Sequence, residues 1–279
     1  MNENSPLTIK EWLDHATTHL ESANVPTARL DAQVILSHAL KMPRASLLAH
    51  PEQAIEGEQL EFADKLLARR IERQPVAYLT EQKEFYGRNF YVAPDVLIPR
   101  PESEAIIDTL ALLHPNSSHR LIDIGTGSGC LSITAALEFP GISVTAVDIS
   151  NAALSVAKRN AESHSAEVRF VKSNLLNSVS EDDRPVDFII ANLPYVDKTW
   201  ERSPETDFEP SLALFADDDG LALIKQLIPQ VVDALTYKGS LILEADPQQH
   251  MAIIDFAKEF GFTHRSTDGF IISLQRAGA

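Results

Sequence analysis

The chain holds a single cysteine, Cys130, among 279 residues. One thiol excludes an internal disulfide framework and any metal site built from several cysteines. No apolar run approaches the roughly 20 residues that a bilayer-spanning helix needs. Residues 1–12 lack a basic segment followed by an apolar one, so no secretory signal is expected, and the expected compartment is the cytoplasm. Basic residues are scarce too: 24 Lys and Arg face 40 Asp and Glu, a formal net charge of −16. Non-specific nucleic-acid binding draws on clustered cations that neutralise phosphates, so direct binding of that kind is not expected. The nearest cluster, Arg69, Arg70 and Arg73 in "LLARRIER", lies beside Leu66, Leu67 and Ile71 and reads as a solvated helix face. Two nucleotide signatures are missing as well. No G-K-(S/T) follows a glycine loop, so there is no P-loop, and Cys130 breaks the G-x-G-x-x-G of dinucleotide dehydrogenases.

What is present is a globular composition, with enough apolar residues (44%) for one large domain or a large one plus a small one. Residues 1–74 read as a small helical domain. Thr8 and Glu11 form a T-x-x-E capping box, and Ile9, Trp12, Leu13, Ala16 and Leu20 follow at helical spacing. A second helix is expected after Pro26 with Leu30, Val34, Ile35 and Ala39 on one face, and a longer last helix carries Leu60, Ala63, Leu67 and Ile71. Residues 75–100 are rich in aromatics, β-branched residues and prolines, and read as a strand or hairpin linker. Beyond lies an alternation, residues 101–279. Strands are expected at 121–124, 143–147, 168–171, 186–191 and 240–244, and helices at 129–138, 151–163, 219–237 and 247–260. Two late β-like runs, 262–266 and 269–275, close the chain. Such alternation specifies a parallel α/β sheet. Residues 193–218 lack clear periodicity, and a long loop at a strand end in this fold class is usually functional.

Two stretches carry chemistry. In "LIDIGTGSGCLSITAAL" an apolar strand runs into Gly125-Thr126-Gly127-Ser128-Gly129 and a helix begins at once. Glycines allow a sharp turn and close backbone approach to a ligand, and the helix N-terminus offers free N–H groups. Asp148 ends the next strand, where a nucleotide-binding α/β fold places a carboxylate on ribose hydroxyls. Asp123 either orients the loop's amides or faces the ligand. The second stretch is "DFIIANLPYVDK", in which a buried strand ends in Asn192-Leu193-Pro194-Tyr195.

The glycine loop resembles that of the class I S-adenosylmethionine-dependent methyltransferases, where D-x-G-x-G-x-G follows the first strand. The resemblance implies a seven-stranded Rossmann-like sheet with the last strand antiparallel. It implies S-adenosylmethionine as methyl donor, with Gly125, Thr126, Gly127, Ser128 and Gly129 against its methionine portion and Asp148 on its ribose. Asn174 and Leu175 fall near its base, although many such enzymes carry Asp at the position of Asn174. No metal is implied. Asn192–Tyr195 resembles the (N/D/S)-P-P-(Y/F) signature of enzymes that methylate nitrogen conjugated to a π-system. There the Asn192 side-chain oxygen and the Leu193 carbonyl would accept the target's hydrogens, Pro194 would stiffen the turn, and Tyr195 would pack on a planar group.

The upstream half is more specific. "QPVAYLTEQKEFYGRNFYVAPDVLIPRPESE", with Pro75, Tyr78, Leu79, Phe85, Tyr86, Gly87 and Leu97–Glu102, closely resembles the linker of the bacterial protein-(glutamine-N5) methyltransferases that modify peptide chain release factors. "ARLDAQVILSHAL" and "FEPSLALFADDDGLALIKQLI" extend the likeness over nearly the whole chain. It implies methylation of the glutamine side-chain amide in a release factor's Gly-Gly-Gln motif, docked by the N-terminal helices. Arg100 and Glu102 would lie at the active-site mouth or form an ion pair that fixes the linker. Three positions depart from the family pattern. Leu193 replaces the first proline of N-P-P-Y, Glu81 a linker glycine, and Asp246 the glycine of E-x-G-x-x-Q. Three other readings stay open: glutamine methylation of a ribosomal protein, adenine-N6 methylation of rRNA or DNA, and a non-catalytic module that binds S-adenosylmethionine.

Overall fold

Thr8 starts the first helix of the computed structural model, which describes residues 7–277. Its hydroxyl accepts from the Glu11 N–H at 3.2 Å, and the Glu11 carboxylate accepts from the Thr8 N–H at 2.9 Å. This reciprocal capping is the one expected from T-x-x-E. Helices Ile9–Ser22, Ala28–Leu40, Arg44–Ala49, Gly57–Ile71 and Val76–Thr80 pack around Trp12, Leu13, Ile35, Leu36 and Leu66. Trp12 is fully buried, and its indole N–H donates to Asp64 at 2.8 Å. The second helix turns Ala28, Ala32, Ile35, Leu36 and Ala39 inward, while Leu30 is exposed. Of the expected face, Ile35 and Ala39 are buried and Leu30 is not, so the apolar face is rotated away from Leu30. Glu81 stands at φ 56°, a left-handed conformation that glycine adopts freely and other residues adopt at some energetic cost. A glycine at this position, as in the linker pattern that the chain resembles, would adopt it without strain.

By packing, the described residues form two compact units: 7–81 with 203–208, and 82–202 with 209–277. In the first unit the arginines of "LLARRIER" do not share one solvated face. Arg70 is only 4% exposed. Its guanidinium donates to Asp31 and to Glu205, each at 2.8 Å, and Arg73 grips Glu205 with two further bonds of 2.8 Å. Helical spacing placed Arg70 on the polar side. The two carboxylates, distant in sequence, make its burial tolerable.

The second unit is built on a seven-stranded sheet. Its strands are β1 (Arg120–Ile124), β2 (Ser143–Asp148), β3 (Arg169–Lys172), β4 (Val186–Ala191), β5 (Leu235–Glu244), β6 (Phe262–Asp268) and β7 (Ile271–Arg276). Their spatial order is β6-β7-β5-β4-β1-β2-β3. All neighbours pair in parallel except β7, which runs antiparallel to both β5 and β6. Helices cover both faces of the sheet, and the central strands are apolar on both sides, as buried parallel strands are. The helix expected over 219–237 is shorter, Ala222–Ala234. The chain from Leu235 joins β5 instead, because Leu235 pairs with Val186 and is fully buried. Residues 75–100 hold a hairpin, Gln82–Phe85 with Arg88–Tyr91, preceded by the helix Val76–Thr80 rather than by strand. No helix among the described residues is long and apolar enough to cross a membrane.

Arg70 supplies a prediction. Arg70→Ala removes the direct ion-pair partner of the buried Asp31, and should lower the unfolding free energy of the full chain by about 3–5 kcal/mol in urea titrations. Burial tends to raise the Glu205 pKa, but bonds from Arg73, Ser203 and Arg70 outweigh it and hold the carboxyl at about 2. The stabilisation from this carboxylate is therefore complete above the ordinary carboxylate range and is lost as pH falls towards 2. Glu205→Gln should flatten that acid loss.

Candidate active site

Neighbouring parallel strands end together. Ile124 of β1 is level with Val147 of β2 and Ala191 of β4, and Ala191 is level with Leu243 of β5. The residues that follow, Gly125, Asp148, Asn192 and Glu244, are thus gathered at one edge of the sheet. A cleft opens there. Counted out to its solvent-open mouth it encloses about 1160 Å³, room for a nucleoside with an attached side chain. Gly125, Thr126, Gly127, Ser128, Asp148, Asn174, Leu175, Asn192, Leu193 and Pro194 line it, with Arg100 and Ser103. Asp123, Gly129, Glu102 and Tyr195 are not part of that lining.

The glycine loop is held from three sides. The N–H groups of Gly125 and Thr126 both donate to the Val147 carbonyl, at 2.9 and 3.0 Å. Gly129 has φ +82°, and a Cβ there would lie 2.9 Å from the Ile133 side chain and 3.1 Å from Ala157, so any other residue would be both strained and crowded. Asp148 Oδ2 accepts from the Gly127 N–H at 3.0 Å and Oδ1 from the Ser150 N–H at 2.8 Å. Each oxygen retains acceptor capacity. Asn160, 1% exposed, donates to the carbonyls of Ser128 and Tyr91 at 2.8 and 2.9 Å, and so fastens the loop to the hairpin. Asp123 is fully buried behind the loop, where the Thr126 hydroxyl donates to it at 2.7 Å. Burial pushes its pKa up to about 6. Asn174 is exposed beside Leu175, which is buried at φ 50°.

Asn192 has a defined orientation. Its Nδ2 donates to Glu244 Oε2 and to Ser103 Oγ, both at 2.9 Å. The Ser103 hydroxyl donates to the same carboxylate oxygen at 2.5 Å. A flipped amide would set oxygen against a carboxylate, so Oδ1 is directed away from Glu244. The Tyr195 hydroxyl donates to Glu244 Oε1 at 3.0 Å. Burial and the neighbouring Glu244 charge push the Tyr195 pKa well up, so this phenol stays a neutral donor at physiological pH. Cys130, on the cleft wall, is pushed up to about 12 by burial and is not a thiolate nucleophile.

Two clamps hold the surrounding chain. Gln249 Nε2 donates to the carbonyls of Tyr195 and Asp219 at 2.9 and 2.7 Å, and so ties the Asn192–Tyr195 turn to the loop before the helix Ala222–Ala234. Arg100 forms an ion pair with Glu209 at 2.5 Å, and the second Glu209 oxygen accepts from the Ile98 N–H at 3.0 Å. Arg100 therefore both fixes the segment 98–100 and faces the cleft. Glu102 is exposed on the short helical turn Pro101–Ser103. Among the described residues, no group of three or more His, Cys, Asp or Glu is arranged to hold a metal ion.

Known families match both the helical and the α/β part of the chain. Residues 11–80 match the family described as the PrmC N-terminal domain, and residues 102–205 match the methyltransferase small domain. A release factor glutamine methyltransferase of Koribacter versatilis is 41% identical over 86% of this chain and 89% of its own length. The chain belongs to the release factor glutamine methyltransferase family. A second member, from Neisseria gonorrhoeae, is 35% identical over 92% of this chain and 91% of its own. In fold, the chain is similar to the Thermus thermophilus 16S rRNA N2 G1207 methyltransferase, solved with AdoMet and guanosine. The TM-score is 0.55 at 15% identity, covering 71% of this chain and 50% of that one.

Two of this family member's departures have local explanations. Asp246 occupies ordinary extended backbone, φ −64° and ψ 140°, so no glycine is required. Its carboxylate accepts from the Gln248 N–H at 3.0 Å, and its own N–H donates to Gln249 Oε1 at 3.0 Å, which pins the Gln249 clamp. Leu193 is 5% exposed in the core, and its side chain sits 3.1 Å from where a Gly125 Cβ would be. Ser103, Glu244, Glu209 and Gln249 were not singled out as site residues from the sequence. Signals were available: Glu244 and Gln249 are the Glu and Gln of the E-x-G-x-x-Q pattern in which Asp246 replaces the glycine, and Glu209 lies in the "FEPSLALF" segment.

Gly220 tests the clamp. A Cβ there would fall 2.0 Å from the Tyr195 carbonyl oxygen and 2.4 Å from Gln249 Nε2, at φ +82°. Gly261 shares the positive φ (+78°) but has nothing within 4 Å of a Cβ, so Gly220→Ala should destabilise the chain by about 1–3 kcal/mol more than Gly261→Ala in denaturant titrations.

Proposed function

We propose that this protein transfers a methyl group from S-adenosylmethionine to the side-chain amide nitrogen of the glutamine in the Gly-Gly-Gln motif of a peptide chain release factor. The observation that carries the reading is the orientation of Asn192. Its amide nitrogen is engaged by Glu244 and Ser103, which leaves an oxygen for the cleft. An acceptor is what an amide NH₂ target needs. Family membership and the names of the relatives supply the substrate class.

The residues present suit the methyl donor. The concave loop Gly125–Gly129, with positive φ at all three glycines, offers backbone surface without Cβ atoms. Thr126 and Ser128 complete the loop, and Asp123 holds it from behind. Asp148 retains acceptor capacity for ribose hydroxyls, and Asn174 and Leu175 stand where a base would lie. When bound, S-adenosylmethionine supplies a methyl group already activated on a sulfonium, so the reaction is written without a metal or a strong general base. Rate then comes from orientation and exclusion of water. Asn192 Oδ1 and the Leu193 carbonyl would accept the hydrogens of the target nitrogen and turn its lone pair towards the methyl group; the methyl–sulfur bond would break as the N–C bond forms, leaving a neutral thioether, and the methylated nitrogen would shed one proton to water. Pro194 stiffens this turn, Tyr195 braces it through Glu244, and Arg100 with Glu102 forms the mouth. Residues 1–74 dock the release factor, 75–100 link, and 101–279 carry the transfer, in the cytoplasm.

The test is an assay with labelled S-adenosylmethionine, a release factor and its Gln→Ala variant, with the site located by mass spectrometry. Label on the Gly-Gly-Gln glutamine is expected, and none in the variant. Label on ribosomal RNA or a ribosomal protein instead would overturn the reading. Asn192→Ala should reduce transfer by at least about 100-fold with cofactor affinity retained. Asp148→Ala should weaken cofactor binding by about 10- to 100-fold, as measured by calorimetry.

A further inference from the structure

Glu244 is 2% exposed, and no Lys, Arg or His lies within ion-pair distance of it among the described residues. A buried carboxylate without a cation is costly, and an apolar residue at a strand end would serve stability better. What offsets that cost is a set of three donors, Ser103, Asn192 and Tyr195, two of which belong to the Asn-Leu-Pro-Tyr turn. Its two oxygens are divided between them. Oε2 takes the Asn192 amide and the Ser103 hydroxyl, and Oε1 takes the Tyr195 phenol. β4 and β5 are level at Ala191 and Leu243, so this contact is set by strand register rather than by a flexible loop.

We infer that Glu244 is the positioning residue of the transfer, holding the Asn192 amide with its oxygen towards the cleft and fixing Tyr195 beside it. The inference rests on the proposed reaction for its kinetic consequence, but not for its geometry. A charged acceptor also polarises the amide it binds, which raises the electron density on Oδ1. A neutral Glu244 would weaken both effects. The groups facing Glu244 are Tyr195, Ser103, Asn192, the Cys130 thiol and, as a like charge, Glu102. Burial first, and then Glu102, push its pKa up, against the pull of the three donors. The active, ionised form is thus present above that raised pKa and is lost as pH falls through it.

The experiment compares wild type, Glu244→Gln and Glu244→Ala at saturating cofactor and release factor. Glu244→Ala should lose about 100-fold in kcat, the penalty of a misplaced reacting group, with S-adenosylmethionine affinity unchanged. Glu244→Gln, of the same size, should recover part of the loss and lack the acid fall in kcat that wild type shows. The Asn192 side-chain NH₂ resonance, assigned by its absence in Asn192→Ala, should shift in Glu244→Gln and titrate in wild type. Wild-type kcat in Glu244→Ala, or an unchanged acid limb in Glu244→Gln, would overturn the inference. If Glu244→Ala does not fold, the Glu244→Gln profile and the resonance decide. If wild type places no label on the glutamine, the proposed reaction fails, whereas the Asn192 resonance still tests what Glu244 holds.

Discussion

Four adjacent parallel strands, β1, β2, β4 and β5, stop within a residue of one another, and the site is assembled from that alignment. Parallel pairing fixes which residues stand side by side. Once Ile124, Val147, Ala191 and Leu243 are in register, the next residue of each strand is delivered to the same edge. A one-residue slip of β5 would carry Glu244 away from Asn192 and turn its side chain to the other face. The long apolar strands and the helices packed on them therefore act on function through register. The core sets not only stability but also which acceptor meets which donor at the mouth of the cleft.

Much of this was legible in the sequence where the cause is local. The glycine loop, the acid after β2 and the Asn-Leu-Pro-Tyr turn each follow an apolar run, and each sits at a strand end. The capping box at Thr8 and Glu11 forms as its spacing demands. Illegible were the partners. Arg70 reads as a surface residue because its ion pairs lie 39 and 135 positions away in the chain. Glu244 reads as the end of a strand because nothing local shows that Asn192, 52 positions earlier, is its neighbour. Leu30 and Leu235 show the same limit. Periodicity gives an apolar face or run, but only packing decides its rotation and where a helix yields to a strand.

The positions at which this chain departs from its family's pattern are absorbed in different ways. At Asp246 the backbone needs no glycine, and the new side chain adds a cap that holds Gln249. At Leu193 the core accepts the larger side chain. At Glu81 the left-handed backbone persists without the residue suited to it, so strain remains in an exposed position where it touches no part of the cleft.

The ion-pair cluster of Arg70 has a consequence for how the chain could be divided. Glu205 packs with residues 7–81, yet it is reached only through the chain of the other unit, which leaves at Arg202 and resumes at Glu209. The polypeptide thus crosses between the units three times. A fragment ending at Glu81 would keep the guanidinium in the interior and lose one of its two carboxylates. The helical unit is continuous neither in sequence nor in its charge balance. Circular permutation or exchange of this unit between relatives would have to carry the segment 203–208 along with it.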